Sequence, residues 1–198
     1  MARDRASRPE AKPLRLFVAA DVPEEVRRAV EIAVAPLRKD FPKARWVPAH
    51  NWHVTLKFLG STWPRLVDWV VDSVAAVAAG AEAFESGLVG VGAFPSERRA
   101  RVLWAGLADP DGRLGALADA LEAALEREFP RERRAFAAHL TVARFDPLVP
   151  LGELLAALEV PALRFRIDHL TLYQSHLRRP APLYEALRRF PLGPGAGA

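Results

Sequence analysis

Residues 52–59 read Trp52-His53-Val54-Thr55-Leu56-Lys57-Phe58-Leu59. Apolar and polar side chains alternate through His53 to Lys57, the period-two pattern of a strand with one face in a core. Val54 and Leu56 then point inward, while His53, Thr55 and Lys57 share the opposite face. Gly60 is expected to end the strand, and Trp46 to Pro48 precede it as a shorter extended piece.

A second stretch repeats the first. Residues 136–145 (FAAHLTVARF) read as extended, with His139 and Thr141 on one face and Leu140 and Val142 behind. Sliding the chain by 86 residues lays His53-Val54-Thr55 on His139-Leu140-Thr141 and Leu16–Ala20 on Val102–Gly106. One offset through two unlike elements points to an internal duplication.

Both halves fill in around these strands in the order strand–helix–strand–helix–strand. Leu14 to Ala20 is a buried strand, and Asp21-Val22-Pro23-Glu24-Glu25 opens a helix with acids at the positive end of its dipole. Val26, Val30, Ala33 and Leu37 stripe that helix. Pro64 to Val77 is a second helix and Glu85 to Val91 a strand. In the second half, Arg101 to Leu107 is a strand and Leu114, Leu117, Leu121 and Leu125 stripe a helix. Leu151 to Leu158 is a shorter helix, and Leu163 to Tyr173 a strand. The expected fold is α+β: two pseudo-symmetric lobes, about 14–92 and 93–192, facing a central cleft. Each lobe is a mainly antiparallel sheet with outer helices. Residues 1–13 read as a disordered basic tail and 193–198 (GPGAGA) as a flexible one.

Composition narrows the chemistry. Of 198 residues, 51% are apolar and 26% charged, a globular balance that excludes disorder, collagen and coiled coil. The absence of cysteine removes disulfides, thiol nucleophiles, Fe–S clusters and Cys-ligated zinc, and fits a cytoplasmic protein. The amino-terminal stretch has no apolar core of a signal peptide, and Val67 to Ala79 is broken by Asp68 and Asp72, so no membrane partner is expected. Net charge is +4, of which residues 1–13 carry +2. Only four of the 28 basic residues are lysine, and arginine's planar fork suits phosphate.

Five histidines and four threonines would meet as His-x-Thr about 0.1 times by chance. They meet three times, at His53, His139 and His169. If the two lobes face each other, His53, Thr55, His139 and Thr141 converge on one cleft. Two imidazoles there suit phosphodiester cleavage without a metal or cofactor. One accepts a proton from water and the other gives one to the departing oxygen, each transfer worth about 10²–10⁴-fold. The hydroxyls donate to the non-bridging oxygens, where charge accumulates. Lys57, of the same parity, adds positive charge at the edge.

The pair His53-Val-Thr55 and His139-Leu-Thr141 resembles the two-histidine phosphoesterase superfamily. RLFVAADVPEEV, RWVPAHNWHVTLKFLG, RVLWAGL, FAAHLTVAR and LTLYQSHL…YEALRRFPL narrow the likeness to the RNA 2′,3′-cyclic phosphodiesterases once named 2′-5′ RNA ligases, from about Leu14 to Leu192. The resemblance implies hydrolysis of RNA 2′,3′-cyclic phosphate ends, tRNA fragments among them, to 2′-phosphates. It also implies reversible 2′-5′ joining. Nothing in the sequence demands a dimer, and a monomer is expected. It makes His53 the proton donor to the 3′-oxygen and His139 the acceptor that activates water; spacing alone assigns neither role.

The chain departs from the family in having Ala138 where a proline usually precedes the second histidine. Arg144 matches a family arginine, but strict alternation puts it on the face opposite His139 unless the strand bulges or ends near Ala143. His169-Leu-Thr171-Leu172 has no partner 86 residues earlier and reads as a coincidence of strand composition. His50 and His176 read as surface residues, and Gly90-Val91-Gly92 as a turn. Of the aromatics, Trp46 and Phe94 are candidates to stack terminal bases, and Arg101 is a candidate to hold the RNA backbone. Two other functions compete: a non-catalytic module that binds RNA ends, and the same chemistry on a small cyclic nucleotide.

Overall fold

The computed structural model describes residues 12–194, so most of both expected tails (1–11 and 195–198) lies outside the described residues. Gly193, assigned to the second tail, is tied in: its N–H donates to Ala81 O and its carbonyl accepts from Ala83 N, each at 2.8 Å.

The strands are β1 (Leu14–Asp21), β2 (Arg45–Trp46), β3 (His53–Thr62), β4 (Phe84–Phe94), β5 (Ala100–Leu107), β6 (His139–Val149), β7 (Arg164–Ile167), β8 (His169–His176) and β9 (Leu183–Pro191). The helices are α1 (Glu24–Asp40), α2 (Val67–Ala79), α3 (Arg113–Leu125) and α4 (Gly152–Ala156). The striped residues meet their expectation. Val26, Val30, Ala33 and Leu37 of α1 and Leu114, Leu117, Leu121 and Leu125 of α3 are all buried. Three boundaries differ. Leu163–Tyr173 is two strands that part at Asp168, β7 joining β4 and β8 joining β1. β3 runs past Gly60, whose φ of +67° is one a glycine adopts without strain, to Thr62. β9 is an additional strand on β8.

The sheet order is β7-β4-β5-β6-β3-β1-β8-β9, with β2 on β6, and its pairs are antiparallel. At its centre β3 and β6 touch through one pair, Val54 and Leu140, residues 86 apart. An antiparallel pair of equivalent residues is what a two-fold axis requires. Spatial grouping nevertheless cuts across the chain halves at 92/93: β4 lies beside β5, whereas β8 and β9 lie beside β1. The offset of 86 holds for the motif strands and is one too many for the strands beside them. Phe17 faces Phe58 as Val102 faces Arg144, so Phe17 matches Val102. The link in the second half is one residue longer, and a one-residue slip exchanges the faces of a strand.

Both motif strands carry the same irregularity. Opposite β1, Thr55 faces Ala19 and Lys57 faces Val18, which leaves Leu56 as an extra residue. Opposite β5, Thr141 faces Trp104 and Ala143 faces Leu103, which leaves Val142 extra. Such bulges re-aim every side chain that follows. Leu56 and Lys57 are consecutively buried, as are Val142 and Ala143, and Phe58 and Arg144 emerge on the open side.

Candidate active site

The central pair brings both motifs to one cavity of about 310 Å³, lined by His53, Thr55, His139, Thr141 and Arg144. That volume lies at the lower end of small-ligand sites. Arg45 and Trp46 of β2 add to the lining, as do Asn51, Tyr184 of β9 and Pro180–Pro182 of the loop before it. Asn51 ties that loop in place, its Nδ2 donating to Pro182 O at 2.7 Å.

His53 is set among rings. Phe17 stacks on it at 4.7 Å between centroids, and Tyr184 meets it edge-on at 5.3 Å. Its Nε2 lies 3.1 Å from Thr55 Oγ1, and the Asn51 carbonyl accepts from the ring. Burial pushes His53 down to about 4; the Asn51 carbonyl and Asp21 pull upward, while Arg27 and His139 push further down. The protein's own groups therefore hold this imidazole neutral at pH 7.

His139 is set more simply. Its Nδ1 donates to Ala137 O at 2.7 Å, which fixes the tautomer and leaves the Nε2 lone pair free as an acceptor. Phe94 meets the ring edge-on at 5.2 Å. Burial lowers this histidine too; the Ala137 carbonyl opposes it, and Arg144 and Arg134 add to the lowering.

The sequence-predicted residues divide accordingly. His53, Thr55, His139, Thr141, Trp46 and Arg144 meet at the cavity, Arg144 because of the bulge at Val142. Phe94 touches His139 from outside the lining. Lys57 is a correction: the bulge at Leu56 turns it away from the cleft. It is 1% exposed, donates to Glu122 of α3 at 2.5 Å and to Pro130 O at 2.8 Å, and carries no charge to the site. Arg101 is a second correction: it is exposed and outside the lining, and its neighbour Val102 is the residue opposite Arg144.

Two motif readings also change. The third His-x-Thr is no accident of composition, because His169 Nε2 and Thr171 Oγ1 both donate to Asp21, at 3.0 and 2.8 Å. Asp21 accordingly ends a strand and serves β8; the N-cap of α1 is Pro23, which makes no side-chain cap bond. Gly90-Val91-Gly92 lies within β4 and not in a turn. Of the residues the reading missed, Arg45 stands next to Trp46 and opposite Arg144, and Asn51 two residues before His53. Both lie in the family-like stretch RWVPAHNWHVTLKFLG, and proximity to the motif was the signal the residue pattern itself offered. Tyr184 arrives from 131 residues beyond His53; it opens the family-like stretch YEALRRFPL, but nothing in the residue pattern placed it at the site.

Among the described residues no group of three or more histidines, aspartates and glutamates is placed to hold a metal ion. Among the same residues no helix is long and apolar enough to cross a membrane.

The family model described as the 2′-5′ RNA ligase superfamily matches residues 22–179. A Thermus thermophilus RNA 2′,3′-cyclic phosphodiesterase is 34% identical over 192 residues, covering 90% of each chain. The enzyme of that name from Methanothermobacter thermautotrophicus is 30% identical over 189 residues, covering 90% of this chain and 99% of its own. A Geobacillus stearothermophilus relative of the same name is 30% identical over 180 residues; the match takes in 89% of this chain but only 56% of that longer protein. Among solved structures, Thermus thermophilus TT0787 superposes with a TM-score of 0.77 at 29% identity, over 91% of this chain and 99% of that one. Escherichia coli LigT complexed with 3′-AMP gives 0.71 at 26% identity, over the same shares.

Proposed function

The chain belongs to the 2′-5′ RNA ligase superfamily, and from that premise we propose that it is an RNA 2′,3′-cyclic phosphodiesterase working by paired-histidine acid–base catalysis. One observation carries the reading: two imidazoles and two threonine hydroxyls, from strands joined at residues 86 apart, line one cavity together with an arginine. The relatives' shared name supplies the substrate class.

In this mechanism His139 Nε2 takes a proton from the attacking water. Its Nδ1–H bond to Ala137 presents the correct lone pair, and Arg144 favours the neutral ring. Water adds to phosphorus, the bond to the 3′-oxygen breaks, and His53 returns a proton to that oxygen, leaving a 2′-phosphate. Asp21 favours the charged form of His53. Because burial holds that imidazole neutral, the negative phosphate is the further charge that protonates it on binding. Asp21 beside His53 and Arg144 beside His139 support taking the first as donor and the second as acceptor. Thr55, Thr141 and Arg144 steady the phosphoryl oxygens, and Trp46 offers a face to a base. When the 5′-hydroxyl of a second RNA takes the place of water, His139 takes its proton, the new bond to phosphorus forms as the bond to the 3′-oxygen breaks, and a 2′-5′ linkage results; this ligation is the expected side reaction.

The test is incubation, with EDTA present, on a short RNA ending in a 2′,3′-cyclic phosphate. Wild type is expected to release a 2′-phosphate end, and folded His53→Ala and His139→Ala variants to lose at least about 10²-fold in rate. Tight binding without turnover would replace this reading with an end-binding module. Turnover of mononucleoside cyclic phosphates alone would make the substrate a small nucleotide.

A further inference from the structure

Asp21 stands opposite His53 where β1 meets β3, and three donors on alternate residues of β8 converge on its carboxylate. His169 Nε2 and Thr171 Oγ1 reach one oxygen at 3.0 and 2.8 Å; the Tyr173 hydroxyl reaches the other at 2.6 Å. His169 Nδ1 lies 2.5 Å from Asp168 Oδ1, so each ring nitrogen has a carboxylate to donate to, the arrangement of an imidazolium. The Asp21 side chain is 13% exposed. None of these residues lines the cavity.

The cluster nonetheless leads to the site by two routes. Tyr173, held through its hydroxyl, stacks on Phe17 at 5.2 Å and 17°, and Phe17 stacks on His53 at 4.7 Å and 25°. The Asp21 charge also acts on His53 across the strand pair. Joining β1 to β8 does not require it, because those strands already share a ladder from Leu16–Gln174 to Ala20–Leu170. A desolvated carboxylate is an expensive way to fasten two paired strands.

We propose that Asp21, clamped by His169, Thr171 and Tyr173, is a positioning residue for His53 that braces the imidazole through stacked rings and supplies the negative charge favouring its protonated form. This rests on the proposed role of His53 as proton donor. The groups facing His53 are Asp21 from β1, Arg27 from α1, His139 from β6, Tyr173 from β8 and Tyr184 from β9. Arg27 and His139 oppose protonation; Asp21 is the anion among them. Its bonds to His169, Tyr173 and Thr171 outweigh burial and hold it down at about 2, so it stays ionised wherever His53 titrates.

Two variants separate the routes: Asp21→Asn removes the charge and keeps the shape, whereas Tyr173→Phe removes one bond of the brace and keeps the charge. The His53 ring is titrated by NMR without substrate, and kcat and KM are followed against pH on a cyclic-phosphate RNA. Asp21→Asn is expected to lower the His53 midpoint by at least about half a pH unit. It should lower kcat about tenfold with KM within about twofold, and move the alkaline limb to lower pH. Tyr173→Phe is expected to lower kcat about threefold with the midpoint unmoved. A folded Asp21→Asn protein with wild-type kcat and midpoint overturns the proposal, as does lost kcat with an unmoved midpoint and limb. If Asp21→Asn does not fold, unchanged kcat in Tyr173→Phe overturns it. Should the wild type leave the cyclic phosphate intact, the proposed reaction falls, and the NMR midpoint still decides whether Asp21 governs His53.

Discussion

His53 and His169 are both histidines at the head of a His-x-Thr strand, yet burial and partnership move them in opposite directions. Burial among aromatic rings pushes His53 to about 4, below its unfolded value of 6.5. Its contribution to stability is therefore complete above pH 6.5 and is lost as pH falls toward 4. His169 is raised chiefly by its hydrogen bond to Asp21, against burial, with Asp168 adding to the rise. Its contribution is complete below 6.5 and is lost as pH rises through the raised value. Between pH 7 and 4.5, urea unfolding of His53→Gln should lose about 2 kcal/mol less than wild type. A His169→Gln variant should instead show a flatter alkaline side. An equal acid loss in wild type and His53→Gln would show that burial does not set this ionisation. Such contrasts are invisible in the motif itself, which names the residue type but not the side chains that surround it.

At the scale of the element, the decisive feature is the pair of bulges. Alternation placed His53, Thr55, His139 and Thr141 on the cleft face correctly, because each motif lies ahead of the extra residue. It failed for Lys57, beyond the bulge, and on strict parity it would have failed for Arg144 in the same way. An inserted residue leaves no mark in a run of apolar side chains, and the pairing partner that reveals it lies far along the chain. Asp168 likewise divides β7 from β8 without a proline or glycine to announce it. β9 is exposed at Leu183 and from Glu185 to Arg189, with Tyr184 half-buried between, and offers little alternation to read. β4 holds a further constraint. A Cβ on Gly92 would stand 2.3 Å from the Trp104 ring, which packs against Phe94 and through it on His139. Gly92→Ala should cost about 1–3 kcal/mol in thermal or urea unfolding and slow turnover without touching a motif residue. Wild-type values for both would mean that the Trp104–Phe94 wall can shift freely.

Over the whole molecule, the antiparallel α+β architecture and the meeting of the two motifs were legible, because a repeated motif and a two-fold relation constrain one another. The grouping of strands was not, since β8 and β9 carry no signal for their return to β1. The charge was legible only in type: Arg45 and Arg144 stand at the cavity, while Arg101 and Lys57 do not. With two phosphate contacts from those arginines, raising salt from 50 to 200 mM should weaken RNA-end affinity about sevenfold. Arg45→Ala should flatten that slope by about one contact's worth, read from KM against salt concentration. A salt-independent KM would remove both arginines from RNA binding.

The sheet order has a consequence for the order of synthesis. Phe17 and His53 are made early, but Tyr173 and Tyr184, which complete the packing around them, follow more than 100 residues later. On a ribosome, residues 84–167 can pair among themselves while β1 and β3 still wait for β8. Under the proposed mechanism, a nascent chain carrying both motifs is therefore expected to leave a cyclic-phosphate RNA end untouched until residues 169–191 have emerged, which a stalled-ribosome assay of turnover checks.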